Sequence, residues 1–371
     1  MSTLPPASQR PSPSLRLKSA MVMGVTGVLS KFFLYGFNRV EVTGLSRFLE
    51  LLESRKDPAK RQRGLLTVSN HISVLDDPVV WGILPLSYAF DPSNLRWTLG
   101  AADICFANKA FSTFFTQGQV LPCHRLKHSP FGGLFQPALT QAIRLLSTPP
   151  PPTVPIPPTY TTTGSDAHPS PLLFPAQRRY SWVHVFPEGC VHQHASTDLR
   201  YFKWGLARLI LESEPAPDVL PMFIDGTQRV MPEDRGFPRF VPRVGKTVRV
   251  AFGEVLDYEA TFGDLKRRWD GLVARERERE GENGGLVVAP WRQTDVGELT
   301  TDELKHGKEA QEIRIEVARR MRDEILKLRR SLGGYPEPDP AFGLAETWRL
   351  DDDIEAKKYK SRVDGSNINQ D

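Results

Sequence analysis

The sequence predicts an α/β domain with a central mixed, largely parallel sheet flanked by helices and an N-terminal membrane-associated helical segment. Three observations predict it. Short apolar runs of strand length alternate with segments of helical spacing, as in βα units. Several of those runs end directly on polar residues or glycine, as strands do at the ligand-binding edge of an open sheet. Residues 20–37 are almost wholly apolar.

The 371 residues suffice for one large domain or two ordinary ones, and 40% hydrophobic content supports a real core. The net charge of +4 is too mild to choose between nucleic acid, anionic lipid and acidic small molecules. Its distribution says more: no Asp or Glu precedes Glu41, whereas Arg10, Arg16, Lys18, Lys31 and Arg39 do. No basic face interleaved with aromatics suggests nucleic-acid binding.

Residues 1–14 are rich in Pro and Ser and read as disordered. Residues 15–40 read as a membrane-anchoring or targeting segment. The apolar run is slightly short of the ~20 residues that span a bilayer, holds Gly24, Gly27 and Gly36, and is broken by Lys31. An interfacial anchor fits best, with Lys31 snorkelling to headgroups and Phe32, Phe33 and Tyr35 at the boundary. A short spanning helix and a core helix compete with it. No cleavable secretory site follows, and the acid-free start is compatible with mitochondrial targeting.

The domain proper is expected over residues 41–335. Its strands are Leu65–Val68, Gln119–Pro122, Trp182–Phe186 and Val219–Ile224, with Thr247–Phe252 alternating like a half-exposed strand. Two inserts interrupt it: a proline-rich loop over about 148–172, and a charge-dense, solvated and partly helical stretch over about 265–300. Ile313, Val317, Met321, Ile325 and Leu328 recur at helical spacing up to Gly333, predicting a packed helix over about 302–332. Residues 336–371 read as a polar tail.

Asn70-His71-Ile72-Ser73-Val74-Leu75-Asp76-Asp77-Pro78 carries the sharpest chemistry. A His–Asp pair is the base and orienter of a catalytic triad, yet no Gly-x-Ser-x-Gly elbow supplies a nucleophile. A nucleophile arriving with the substrate would complete the set. Asp77 reads as a helix N-cap and Pro78 as the first helical residue, which puts His71 and Asp76 in a strand-to-helix turn. Phe186-Pro187-Glu188-Gly189 is the second signal, a carboxylate beside a glycine at a strand end. Alone it would be a turn with a solvated glutamate. With His71, Asp76 and an arginine, Arg125, ending the intervening strand, the groups could converge on one cleft.

Cys105, Cys123 and Cys190 show neither pairing nor metal spacing, which fits reduced thiols. His184, His192 and His194 lie close together without a Cys or Glu partner at ligand spacing, so no metal is assigned. A thioester route through Cys190 or Cys123 lacks a cysteine-nucleophile signature.

His-x4-Asp followed by Phe-Pro-Glu-Gly resembles the glycerolipid acyltransferase superfamily. Asn70-His71, Asp76-Asp77-Pro78, Trp81-Gly82-Ile83-Leu84, Trp182 to Gly189, Phe202-Lys203-Trp204-Gly205 and Arg208-Leu209-Ile210 narrow the resemblance to its mitochondrial phospholipid–lysophospholipid transacylases. The likeness runs from about Ser14 to the C-terminal helix, excluding the two inserts. Gly118 and Arg125 are seven apart, against six in the wider superfamily, the spacing expected of this branch.

The resemblance implies His71 and Asp76 as catalytic residues, with Glu188, Gly189, Phe186, Pro187 and Asn70 binding substrate and Arg125 meeting phosphate. It implies no metal or cofactor. Cardiolipin, monolysocardiolipin and phosphatidylcholine are the implied substrates, in mitochondrial inner or outer membranes facing the intermembrane space. Peripheral or monotopic attachment and higher-order membrane complexes go with it. The rival readings are an acyl-CoA-dependent lysophospholipid acyltransferase and a non-catalytic lipid-binding scaffold.

Overall fold

A computed structural model describes residues 13–125, 132–148, 180–238, 240–282 and 296–345. Residues 1–12, most of the proline-rich insert and the tail beyond 345 lie outside the described residues, as does the later part of the charged stretch.

Seven strands form one sheet: β1 (Arg39–Thr43), β2 (Leu65–Ser69), β3 (Trp97–Ala101), β4 (Val120–Cys123), β5 (Trp182–Val185), β6 (Asp218–Asp225) and β7 (Thr247–Phe252). Their spatial order is β1-β7-β6-β2-β5-β3-β4. Every neighbouring pair is parallel except β6 with β7. The sheet is therefore mixed and largely parallel. β2 to β6 all finish on one edge, and β1 and β7 start there.

Alternate residues of the inner strands feed opposite faces. Leu65, Trp182, Leu220, Met222 and Ile224 pack with Phe48, Leu52, Leu34 and Val80. Leu66, Val68, Val183, Val185, Val219 and Phe223 pack with Ile143, Leu206, Leu209, Phe262 and Val317. Each such fully buried side chain is worth about 1.5–3 kcal/mol. Coverage on both faces leaves β2 buried throughout, its polar Thr67 and Ser69 included.

The first core is closed by helix α1 (Pro13–Phe37) and helix α2 (Leu45–Ser54). α1 begins at Pro13, two residues inside the stretch expected to be disordered. By length and composition Arg16–Phe37 could cross a membrane, and 22% of its most apolar window is buried in the protein. One face docks on residues 82–90. A Cβ on Gly24 would fall 2.2 Å from Phe90, and one on Gly27 would fall 2.6 Å from Ala89. Lys31 does not snorkel: its Nζ donates to the carbonyls of Gly82 (3.4 Å) and Leu84 (3.2 Å), pinning α1 to the domain. Leu17, Met21, Val25, Val28, Leu29, Phe32, Tyr35 and Phe37 remain exposed.

The second core corrects the reading of a solvated charged insert. Tyr258–Glu282 is one helix. It buries Phe262, Leu265, Trp269, Leu272 and Val273 against the Lys308–Ser331 helix, which offers Ile313, Val317, Met321 and Ile325. Charge dominates its composition because only one stripe is buried, and the stripe at three- and four-residue spacing was legible. The C-terminal helix is split at Gly307 from Asp302–His306 and stops before Gly333, whose φ is +67°.

Candidate active site

The parallel register places the ends of β2 and β5 side by side, with Val68 opposite Val185. His71 and the Phe186–Gly189 turn therefore share one rim. Asn70 fixes the exit of β2. Its side-chain amide donates to the Ile224 carbonyl and accepts the Ile224 N–H, both at 2.8 Å, continuing the β2–β6 ladder beyond Ser69. At 1% exposure Asn70 acts as a backbone clamp.

His71 Nδ1 lies 2.9 Å from Asp76 Oδ2. That oxygen also accepts the N–H groups of Ile72 (2.7 Å) and Ser73 (2.9 Å), while Oδ1 accepts the Thr227 hydroxyl at 2.5 Å. Asp76 is fully buried. An ionised carboxylate only accepts, so the proton of this pair belongs on Nδ1 and Nε2 is left as the basic nitrogen. The His71 side chain is 22% exposed, so the ring reaches the surface at this edge of the sheet.

Asp77 is not the expected N-cap. It is extended (φ −115°, ψ 120°) within the short Asp76–Val79 turn, and its peptide bond to Pro78 is cis. Its carboxylate accepts from the Trp81 indole (2.5 Å) and from the Arg96 guanidinium. Asp76 accepts the Ile72 and Ser73 N–H groups upstream of it, and the N-cap position, Leu75, has no side-chain cap bond.

Glu188 is 1% exposed, and both its oxygens are taken by main chain: Oε1 by His71 N–H and Oε2 by Arg200 N–H, each 2.9 Å. It grips the backbone of the His71 turn through one oxygen and that of Arg200 through the other. Burial pushes its carboxyl up to about 7, against the opposing pull of those two N–H groups. Phe186 stacks on the His71 ring (centroids 4.3 Å apart) and meets His184 edge-on at 4.5 Å. Pro187 accepts Lys203 N–H through its carbonyl (2.8 Å). Gly189 has φ +70°, and a Cβ there would sit 2.9 Å from the Lys203 stem.

Arg125 stands apart. β4 is the edge strand, separated from β2 by β5 and β3. Its guanidinium pairs with Asp103 through two nitrogens, 2.5 and 3.2 Å. It shares the sheet edge with His71, three strands away from β2.

The three clustered histidines separate. His184 is wholly buried in β5 between the hydroxyls of Thr67 (2.8 Å) and Ser69 (3.3 Å), and burial holds its pKa well below the usual imidazole range. His192 and His194 stack on each other, and both meet the Phe342 ring at a tilt. Among the described residues, no group of three or more His, Cys, Asp or Glu could hold a metal. Burial pushes the thiols of Cys105 and Cys123 up to about 11.

Sequence reasoning missed Thr227 and Arg200. Thr227 follows the Asp225-Gly226 strand end, which was visible; nothing marks Arg200, whose contribution is a backbone N–H.

A buried acid orienting a partly exposed histidine at the edge of a mixed α/β sheet, with a glutamate locking the histidine loop, suits acyl transfer to an incoming hydroxyl. The family model described as Acyltransferase matches residues 40–225, β1 through β6. The chain is thus an acyltransferase enzyme. Tafazzin of Saccharomyces cerevisiae is 33% identical over 362 residues, covering 95% of this chain and 88% of that protein. Tafazzin of Drosophila melanogaster is 32% identical over 71% of this chain and 58% of its own length. N-acylphosphatidylethanolamine synthase of Arabidopsis thaliana is 33% identical over 60% of this chain and 64% of its own. The chain belongs to the tafazzins of the glycerolipid acyltransferase family.

Proposed function

We propose that this acyltransferase moves acyl chains between phospholipids and lysophospholipids without coenzyme A, with His71 and Asp76 as its catalytic pair. The carrying observation is the His71 Nδ1–Asp76 contact of 2.9 Å on a carboxylate already held by Ile72, Ser73 and Thr227. His71 Nε2 takes the proton of the lysolipid hydroxyl as its oxygen attacks the donor ester carbonyl. A new ester C–O bond forms, the tetrahedral intermediate expels the donor glycerol oxygen, and that oxygen receives the proton back from His71. Asp76 steadies the imidazolium between the two transfers. Acid–base help of this kind is worth about 10²–10⁴-fold.

Phospholipids as substrates are supported by the tafazzin relatives and by a relative whose name places an acyl group on phosphatidylethanolamine. Cardiolipin remodelling, with phosphatidylcholine as donor and monolysocardiolipin as acceptor, is the specific reaction. Arg125 and the Gly189 rim meet the lipid, Arg125 through phosphate. The setting is a mitochondrial membrane facing the intermembrane space, with the exposed face of α1 lying in the lipid interface.

The test is transfer between labelled phosphatidylcholine and lysocardiolipin, with and without acyl-CoA. Transfer without acyl-CoA by the wild-type chain and its loss in His71→Ala support the proposal. Strict dependence on acyl-CoA assigns the thioester-dependent reaction instead, and undiminished transfer by His71→Ala removes His71 from the chemistry.

A further inference from the structure

A second apolar element lies between β6 and β7. Phe237 is 93% exposed, Phe240 75%, Val244 56% and Val241 48%. Four large apolar side chains within eight residues are more than scattered surface hydrophobes; a patch of this kind marks an interaction site. Both ends of the loop are tied to parts of the molecule already described. Gly245 N–H donates to the Phe37 carbonyl (2.8 Å), and Lys246 N–H donates to Asn38 Oδ1 (3.0 Å), joining the loop to the end of α1. At its start Gln193 donates to the carbonyls of Ile72 (2.9 Å) and Met231 (3.0 Å) and accepts Glu233 N–H (2.9 Å). Ile72 is the residue after His71, so the base of the loop is bonded to the candidate catalytic turn.

We propose that Phe237, Phe240, Val241 and Val244 insert into the same lipid surface as the exposed face of α1, holding the His71 edge of the sheet against the bilayer. This rests on the membrane setting proposed above. Continuity argues for lipid. β6 ends and β1 and β7 begin on the edge that carries His71, so the loop and the end of α1 both lie there. Phe32, Tyr35 and Phe37 are exposed at that end of α1, and Val74 is 56% exposed in the catalytic turn itself. Arg39 and Arg243 are exposed beside the apolar run and suit anionic headgroups, whereas the acids Glu233 and Asp234 sit on the limb held by Gln193. A soluble partner would need a second surface matching two separate apolar elements; a bilayer meets both without shape matching.

Full-length protein is mixed with vesicles of phosphatidylcholine and phosphatidylglycerol and assayed by co-sedimentation and amide exchange. Wild-type protein should bind, and amides flanking Phe237–Val244 should exchange more slowly on vesicles. Phe237→Glu with Phe240→Glu should weaken binding about tenfold or more with an unchanged melting temperature, since neither side chain packs inside the fold. Unaltered binding by that variant, or loop exchange indifferent to vesicles, overturns the proposal. So does a wild-type oligomer that the variant dissociates while vesicle binding persists. None of these readouts requires turnover. Absence of acyl transfer by the wild-type chain would count against the proposed reaction and leave this inference standing.

Discussion

Glu188 Oε1 accepts the backbone N–H of His71 at 2.9 Å, so the two motifs that are 117 residues apart in sequence meet through one hydrogen bond. The other oxygen holds Arg200 N–H at the same distance. The glutamate thus acts on the loop that carries the histidine. Its burial makes it a pH-sensitive clamp.

That clamp predicts a pH dependence of stability. Burial raises the Glu188 carboxyl to about 7, above its unfolded value of about 4.3. The folded state therefore binds the proton more tightly, and stability from this group, full below about 4.3, declines as pH rises toward 7. Glu188→Gln should flatten the fall in melting temperature between pH 5 and 8. An equal slope in both proteins would contradict the assignment.

Thr227→Val removes the hydroxyl from Asp76 Oδ1 without touching His71. A hydrogen bond to a charged group is worth about 1.5–3 kcal/mol, so stability should fall by that amount. Turnover should fall about tenfold, equivalent to about 1.4 kcal/mol of barrier. Thr227→Ser, which keeps the hydroxyl, should recover most of the rate in a transfer assay.

Gly226→Ala and Gly189→Ala should differ although both replace a glycine of positive φ. At Gly226 (φ +99°) the new Cβ would meet the Thr247 carbonyl oxygen at 2.0 Å, rigid backbone of β7. At Gly189 the obstacle is the flexible Lys203 stem. Urea unfolding should show a loss of about 3 kcal/mol or more for Gly226→Ala. For Gly189→Ala the loss should be about 1–2 kcal/mol.

Burial pushes the Cys105 and Cys123 thiols up to about 11, which disfavours the nucleophilic thiolate at neutral pH. Cys123→Ser should transfer acyl chains at the wild-type rate, and no thioester should be trapped by acid quench and mass spectrometry.

Residues 20–37, the buried β2 run, the β5–Phe186-Pro187-Glu188-Gly189 exit and the 313–328 stripe were all legible because local pattern sets them: length, periodicity and a glycine at a turn. β3 was not, since Trp97-Thr98-Leu99-Gly100-Ala101 is short and carries Gly and Ala, poor strand formers. Its strand state comes from pairing with β4 and β5.

The sequence by itself determined the chemistry of the rim: a histidine and an aspartate five residues apart can meet within one turn, and their pairing needs no distant partner. Only the tertiary structure decided what the other site residues do. Asn70 and Glu188 proved to be backbone clamps, Thr227 joined Asp76 across 151 residues, and Arg125 went to the far strand with Asp103. The reason is physical. Burial and strand order assign each polar group its partner, and neither quantity is local in the chain.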